Sequence, residues 1–248
     1  MYPLAKIRAV VLAWLALPVL AIHIPVAGAQ PAKRWVVVEL FTSQGCYSCP
    51  PADRFLGKLA KRKDVLALSF HVDYWNYLGW RDPYSSHQAT RRQRSYAWAM
   101  KRRSVYTPQI VVDGTLQGIG SYTGTINGLI DLRKQAQDSG VTVAIRNGAK
   151  SLTVSLKGGL QFGDCTVWLV YFDNKHTTAI PRGENAGKTL TYYNVVREFR
   201  RAAVYKGKNL EFPLPRSSKN GPKHDNIAVI VQRPRGGQIV GAAWAALR

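Results

Sequence analysis

Two cysteines three positions apart, lying between an apolar run and a helical pattern, constrain the fold of this chain most strongly. The run Trp35 to Phe41 is rich in β-branched and aromatic residues, which predicts a buried strand. Residues 42–45 interrupt the run, Cys46 and Cys49 follow, and from Pro51 apolar residues recur with a helical period. The pattern therefore places a dithiol between a strand and the first turn of a helix.

This placement predicts redox chemistry for the pair. The free backbone N–H groups and the dipole at a helix N-terminus favour an anion, so the thiolate form of Cys46 is stabilised there. Cys46 is then the attacking sulfur. Cys49, one helical turn further on, is placed to break a mixed disulfide and release the substrate.

Two other readings of the C-x-x-C spacing are weaker. A structural zinc site needs two more soft ligands, but the third cysteine, Cys165, stands alone and the five histidines are scattered. A purely structural disulfide closing so short a loop would remove little chain entropy. We therefore expect neither a metal nor a cofactor, and we expect Cys165 to be a buried, inert thiol.

The pattern of predicted helices and strands changes near Gly140. Before it, the patterns predict the order β-α-β-α-β-β-α, in which Thr107-Pro108 precedes a short strand and Asp113-Gly114 forms a hairpin turn. After it, short strands and turns predominate, which is typical of an antiparallel sandwich. The predicted fold is an α/β domain over residues 30–140, followed by a small, mostly β, sandwich-like domain over residues 141–248.

Residues 35–139 resemble the thioredoxin fold, in which a cis proline faces the dithiol. By this resemblance Pro108 is the cis proline, and the backbone of Thr107 pairs with a substrate peptide. The resemblance also offers Glu39, in the strand before the dithiol, either as a proton relay to the inner cysteine or as a structural carboxylate. The predicted catalytic residues are Cys46, Cys49, Pro108, Thr107 and Glu39.

Three longer motifs carry a closer resemblance. The segments 39–53 (ELFTSQGCxSCPPAD), 70–83 (FHVDYWNYLGWRDP) and 183–188 (GENAGK) are similar to those of a bacterial secreted family of thioredoxin-like proteins known only as a domain of unknown function. The resemblance covers essentially the whole chain after residue 29. It implies a thioredoxin-like α/β domain and export, but no substrate.

The first 29 residues have the pattern of a secretory signal peptide. Lys6 and Arg8 precede an apolar stretch from Val10 to Ile24, and Ala27-Gly28-Ala29 supplies a small-x-small cleavage site. Three segments follow from this interpretation: a signal peptide at 1–29 and the two domains at 30–140 and 141–248. The mature protein is expected to be periplasmic or secreted.

The chain is strongly basic, with 35 Lys and Arg against 14 Asp and Glu. Such a charge favours electrostatic contact with anionic surfaces of the cell envelope. The cations are spread through both halves, and no recognised nucleic-acid motif accompanies them, so we do not expect nucleic-acid binding.

Three functions stay open at this stage. The first is a secreted thiol-disulfide oxidoreductase acting on protein thiols or disulfides of the envelope. The second is a copper-binding protein holding Cu(I) with Cys46, Cys49 and His71. The third is a non-catalytic binding or assembly module whose dithiol is only a redox latch. The aromatic segment 73–84 is either a peptide-binding rim or an insertion with its own small core.

Overall fold

The computed structural model describes residues 34–136, 140–148, 151–159, 163–215 and 223–247. The predicted signal peptide at 1–29 lies outside these residues. All the described residues belong to one compact unit. No helix within these ranges is long and apolar enough to cross a membrane.

The elements before residue 140 are short. Strand β1 is buried along its whole length because both of its faces are covered, and α1 begins directly after the second cysteine with prolines in its first turn. The elements are β1 (Val36–Thr42), α1 (Pro50–Leu59), β2 (Val65–His71), a 3-10 turn (Asn76–Leu78), α2 (His87–Ala99), β3 (Gln109–Val112), β4 (Leu116–Ile119) and α3 (Thr123–Gln135).

The elements after residue 140 are strands, and two of them are long. They are β5 (Thr142–Asn147), β6 (Ser151–Lys157), β7 (Cys165–Ala179), β8 (Thr189–Tyr205), β9 (Leu210–Pro215), β10 (Asn226–Gln232) and β11 (Ile239–Ala246). Strands β7 and β8 pair along most of their length as an antiparallel hairpin.

Most of these strands form one mixed sheet. Its order is β11-β10-β7-β8-β2-β1-β3-β4, and β5, β6 and β9 form a second sheet of three strands. Strand β1 is parallel to β2 and antiparallel to β3, while β8 joins the other edge of β2 in parallel at Ser69 and Val195.

The predicted fold class is therefore wrong. A thioredoxin-like α/β domain followed by a separate sandwich would leave β2 and β8 in different sheets, but the structure joins them in one sheet of eight strands. The described residues contain three α-helices and are mostly β. The predicted segments 30–140 and 141–248 share this sheet, and whether either folds alone stays a prediction.

The side chains of β1 alternate between two cores. Val36, Val38 and Leu40 pack with apolar residues of α1 and α3, whereas Val37 and Phe41 pack with residues of α2. The three-stranded sheet covers a third core against β7, β10 and β11. The dithiol lies on the α1 face of the large sheet, beyond the end of β1.

Candidate functional site

Cys46 and Cys49 are joined in a disulfide whose Cα atoms lie 5.4 Å apart. A tight turn places them there, because the N–H of Cys46 bonds to the carbonyl of Ser43 and the N–H of Cys49 to the carbonyl of Cys46. Cys49 is the N-cap of α1, and Pro50 follows it as the first helical residue. The pair therefore occupies the strand-to-helix junction that the sequence predicts.

The disulfide itself is shielded. Cys46 is 1% exposed and Cys49 is 0% exposed, whereas Tyr47 between them is 67% exposed and Ser48 is exposed as well. Tyr47 and Ser48 therefore form the exposed surface over the disulfide.

Thr107 and Pro108 lie next to the dithiol. The peptide bond between them is cis, as the resemblance to thioredoxins implies. The Ser48 hydroxyl lies 3.5 Å from Cys46 Sγ and donates to the carbonyl of Thr107 at the same distance. Trp75 Nε1 donates to Thr107 Oγ1 at 2.8 Å. The structure thus brings four of the predicted residues together, while their catalytic roles stay a prediction.

The fifth predicted residue, Glu39, lies apart from this group. Arg92 of α2 donates to both of its carboxylate oxygens, at 2.6 and 2.9 Å, and the Tyr96 hydroxyl donates to it as well. Glu39 lies on the same face of β1 as Val37 and Phe41 and so faces α2, on the opposite side of the sheet from α1. This position favours the structural-carboxylate alternative over the proton relay.

The loop between β7 and β8 reaches the dithiol. Asn185, which is buried, donates from Nδ2 to the carbonyls of Gln44 and Cys46, each at 2.9 Å. Glu184 accepts a hydrogen bond from the backbone N–H of Tyr47 at 3.1 Å, and Lys188 Nζ lies 4.6 Å from the centre of the Tyr47 ring. This loop contains the motif 183–188, so the sequence marked the segment but not its contact with the dithiol.

The aromatic segment 73–84 packs on the other side of the same turn. Trp80 Nε1 donates to the side-chain oxygen of Gln44 at 2.8 Å, and Asp82 accepts from the Gln44 N–H at 2.9 Å. A Cβ added at Gly45 would lie 3.1 Å from the carbonyl oxygen of Trp75. Tyr74 and Trp75 of this segment pack against the core beneath α2, so the segment has no independent core, and its use as a peptide-binding rim stays a prediction.

A second group of polar side chains lies beneath the dithiol. Asp53 of α1 is 4% exposed, and its carboxylate oxygens make no hydrogen bond of good geometry to the described residues, although the Thr42 hydroxyl lies close enough to lower the pKa of Asp53. Burial raises the pKa of Asp53 to about 7, against the lowering influence of nearby His71. Sequence analysis missed Asp53, although its position four residues after Cys49, on the apolar face of the helix, was a usable signal.

His71 and Asp82 form a buried pair beside Asp53. His71 Nδ1 lies 2.6 Å from Asp82 Oδ2. Burial raises the pKa of Asp82, but His71 and the N–H groups of Gln44 and Tyr84 outweigh it and leave the pKa below its ordinary value. Asp82 is therefore a carboxylate at neutral pH, so Nδ1 of His71 carries a proton and donates it.

The copper hypothesis finds little support in this arrangement. His71 uses Nδ1 for Asp82, and within the described ranges no three His, Cys, Asp or Glu side chains are grouped to hold a metal ion. Cys165 is a free, buried thiol at the start of β7, and burial raises its pKa. None of the hydrogen bonds described for the dithiol involves Cys165.

Comparisons with known proteins identify a family. The family model described as "Protein of unknown function (DUF1223)" matches residues 37–232. A crystal structure of a protein from Agrobacterium tumefaciens is similar to this chain, with a TM-score of 0.77 and 34% sequence identity, covering 89% of this chain and 97% of the other.

A more distant likeness concerns the fold alone. HBP35 of Porphyromonas gingivalis matches with a TM-score of 0.61 and 13% identity, covering 87% of this chain and 76% of the other. No curated protein matches the chain.

Proposed function

Because this chain belongs to the DUF1223 family of proteins of unknown function, we argue its function from its own site and propose that it is a thiol-disulfide oxidoreductase of the bacterial cell envelope. The observation that carries the proposal is the Cys46–Cys49 disulfide at the N-terminus of α1, with the Thr107 carbonyl beside it. Cys46 exchanges with the substrate, and Cys49 resolves the mixed disulfide. The likeness to thioredoxin-like proteins that we propose concerns the chemistry of the dithiol site and not the fold.

The surroundings of Cys46 support a thiolate. The dithiol lies at the positive end of the α1 dipole, which favours negative charge there. The Ser48 hydroxyl, 3.5 Å from Cys46 Sγ, can donate to the sulfur once the disulfide is reduced. A disulfide that served only stability would gain little here, since it closes a loop of so few residues.

The reaction is a two-electron exchange. In one direction the Cys46 thiolate attacks a substrate disulfide, one substrate sulfur leaves as a thiolate, and a mixed disulfide forms. Cys49 then attacks Cys46 Sγ, the second substrate sulfur leaves, and the Cys46–Cys49 bond is restored. Two electrons pass from the two cysteines to the substrate. In the other direction a substrate thiolate attacks Cys46 Sγ of the disulfide and the electrons pass to the protein.

A polypeptide substrate would approach over the exposed Tyr47-Ser48 dipeptide. The Thr107 carbonyl, which Ser48 contacts at 3.5 Å, is the acceptor available to a substrate backbone N–H. The loop 183–188 forms the neighbouring wall through its contacts with Tyr47. Because the Thr107 carbonyl would pair with a backbone N–H, we expect extended peptide segments to be preferred over folded proteins.

Export is part of the proposal. The pattern of residues 1–29 is that of a cleaved signal, and the oxidising conditions outside the cytoplasm permit the disulfide to persist. The excess of Lys and Arg would favour contact with anionic envelope surfaces. N-terminal sequencing of the protein recovered from its native host tests this part, because an intact Met1 would contradict export by cleavage.

A redox titration tests the oxidoreductase function. The protein is equilibrated with defined glutathione ratios, and Cys46 and Cys49 are followed by alkylation, with Cys165→Ser as the matched control because Cys165 lies outside the site. We expect a reversible potential of roughly −120 to −270 mV and exchange with a disulfide-containing peptide. A bond that resists reduction below roughly −300 mV, or a reduced protein that exchanges with no disulfide, overturns the proposal.

A further inference from the structure

Unpaired polar atoms gather beneath the dithiol to an unusual degree. Buried donors and acceptors in proteins nearly always have partners, so a cluster of them without protein partners calls for a physical explanation. Of the eight buried side-chain atoms without a partner among the described residues, seven belong to this end of the sheet and helix: Thr42 Oγ1, Gln44 Nε2, Asp53 Oδ1, Asp53 Oδ2, Ser69 Oγ, His71 Nε2 and Tyr192 Oη.

The backbone explains why these groups meet. Thr42 and His71 are register partners at the ends of the parallel strands β1 and β2. Thr42 lies on the same face of β1 as Val38 and Leu40, and His71 lies on the same face of β2 as Val65 and Ala67, so both side chains face α1. Asp53 extends from α1 toward this face.

Asp53 is also one helical turn from the inner cysteine. The Asp53 N–H bonds to the Cys49 carbonyl at 3.1 Å, and side chains four residues apart on a helix lie on one face, with Cβ atoms about 6 Å apart. Helix α1 lies close to β8 here, since a Cβ at Gly57 would meet the Tyr193 ring at 2.6 Å. Cys49 and Asp53 are thus enclosed between α1 and the sheet.

We propose that Asp53 is the proton acceptor for the thiol of Cys49, and that the His71–Asp82 pair positions and tunes it. This inference rests on the proposed dithiol exchange and assigns its second step. The Cys49 thiol gives its proton to the Asp53 carboxylate as its sulfur attacks Cys46 Sγ. The bond between Cys46 and the substrate sulfur breaks, and the substrate leaves as a thiolate that takes a proton from solvent. In the opposite direction Asp53 returns the proton to the departing Cys49 thiolate.

The environment of Asp53 suits this role. Burial holds its pKa at about 7, so the group can accept and release a proton near neutral pH. Asp53 also lines a groove of about 420 Å³ between α1 and β8, which gives the proton a route to solvent. Glu39, which the resemblance to thioredoxins offers for this step, is occupied by Arg92 and Tyr96 on the other face of the sheet.

Each element packed around Asp53 contributes a group that affects its charge. His71 of β2, the Thr42 hydroxyl of β1 and the neighbouring Arg54 of α1 favour the carboxylate, whereas Asp82 and burial favour the protonated acid. Tyr192 of β8 faces the same cluster. Burial and the neighbouring Asp53 and Asp82 raise the pKa of Tyr192, so its hydroxyl stays protonated. His71 Nε2 is the unpaired atom that can share a proton with Asp53.

A two-phase reaction separates the steps. The reduced Cys165→Ser protein is mixed in a stopped-flow instrument with an aromatic disulfide, 5,5′-dithiobis(2-nitrobenzoic acid), whose released thiolate is coloured. The first phase reports attack by Cys46, and the second reports attack by Cys49 on the mixed disulfide. We expect Asp53→Asn to slow the second phase about 100-fold near pH 7 and to leave the first phase within a factor of two.

The pH profile distinguishes proton transfer from a structural effect. In the parent protein the rate of the second phase should rise with pH through an inflection near pH 7. In Asp53→Asn this inflection should disappear, and the rate should approach that of the parent only above roughly pH 9, where the Cys49 thiol ionises without an acceptor. His71→Asn should move the inflection to higher pH, since His71 lowers the pKa of Asp53. Asp53→Glu should restore part of the rate.

Asp113→Asn is the matched control. Asp113 is a buried carboxylate at the opposite end of the sheet, where it accepts from the N–H of Val37 and from Arg34. Its substitution should leave both phases unchanged. An unaltered second phase in Asp53→Asn overturns the inference alone, whereas the absence of a first phase in the parent protein overturns the proposed exchange.

Discussion

The side-chain amide of Asn185 donates to the backbone carbonyl of Cys46 at 2.9 Å, although the two residues are 139 positions apart in the chain. The same amide holds the carbonyl of Gln44. These two hydrogen bonds fix the turn that carries Cys46 to the loop between β7 and β8. The second half of the chain therefore takes part in the dithiol site.

Asn185→Ala should loosen this turn. Two carbonyls would lose a buried donor, which should lower the free energy of unfolding by about 2 kcal/mol. If local opening of the loop becomes easier by the same free energy, alkylation of Cys46 in the reduced protein should become roughly 30-fold faster. Urea unfolding and timed alkylation with mass spectrometry measure the two effects.

The matched control for this substitution is Asn147→Ala. Asn147 is exposed at the end of β5, far in the fold from the dithiol. Asn147→Ala should change the free energy of unfolding by less than about 0.5 kcal/mol, and it should change the alkylation rate of Cys46 by a correspondingly small factor. Equal alkylation rates in Asn185→Ala and the parent protein would show that the loop does not limit access to Cys46.

Ser48→Ala tests the hydrogen bond to the attacking sulfur. The Ser48 hydroxyl lies 3.5 Å from Cys46 Sγ and is the nearest side-chain donor assigned to it in the described structure. Its removal should raise the pKa of the Cys46 thiol by up to about one unit, because a donor favours the thiolate. The pH dependence of Cys46 alkylation gives this pKa directly, and Ser95→Ala on α2 is the control. An unchanged profile would assign the stabilisation of the thiolate to the helix terminus alone.

Local elements of the fold could be predicted, but the pairing of distant strands could not. The β-branched run of β1 and the Asp113-Gly114 turn between β3 and β4 carry their own signals. The junction of β8 with β2 rests on one register pair, Ser69 with Val195, more than a hundred residues apart. The periodicity of side chains indicates which face of a strand is buried, but not which strand pairs with it. The sequence therefore predicted separate sheets for the two halves of the chain, whereas the eight-stranded sheet contains strands of both.

The candidate site shows the same division. Cys46, Cys49 and Pro108 were found because their spacing relative to a strand and a helix is characteristic. Asn185 was missed because its partners are backbone carbonyls, which no side-chain pattern records. Asp53 was overlooked because an acid in the first turn of a helix is commonly a surface group that complements the dipole, and burial distinguishes the two cases.

Glu39→Gln tests whether Glu39 is structural. Arg92 would lose its buried counter-charge, and removal of one partner of a buried ion pair costs about 3 to 5 kcal/mol. Thermal and urea unfolding should show this loss, while both phases of the reaction with the aromatic disulfide stay unchanged in the folded variant. Glu198→Gln removes a partly exposed partner of Arg200 and should cost less than about 1 kcal/mol. A selective loss of the second phase in Glu39→Gln would instead favour a relay through Glu39.

Asp53→Asn should alter the pH dependence of stability with a definite sign. The pKa of Asp53 is raised by burial to about 7 in the folded protein, so between roughly pH 4 and pH 7 the folded state binds a proton that the unfolded state releases. Stability therefore falls as pH rises through this window, by on the order of 4 kcal/mol for a shift of about three units. Asp53→Asn should remove this fall.

The comparison is made by urea unfolding of the oxidised protein at pH 4 and pH 8. The Asp53→Asn variant should match the parent at pH 4 and exceed it at pH 8, because the parent then buries an unpaired carboxylate. Asp64→Asn is the contrasting control, since a hydrogen bond from Arg62 lowers the pKa of Asp64 and its loss should destabilise the protein at pH 8. If Asp53→Asn were instead less stable than the parent at pH 8, Asp53 would be a partnered structural carboxylate and not a group held ready to take a proton.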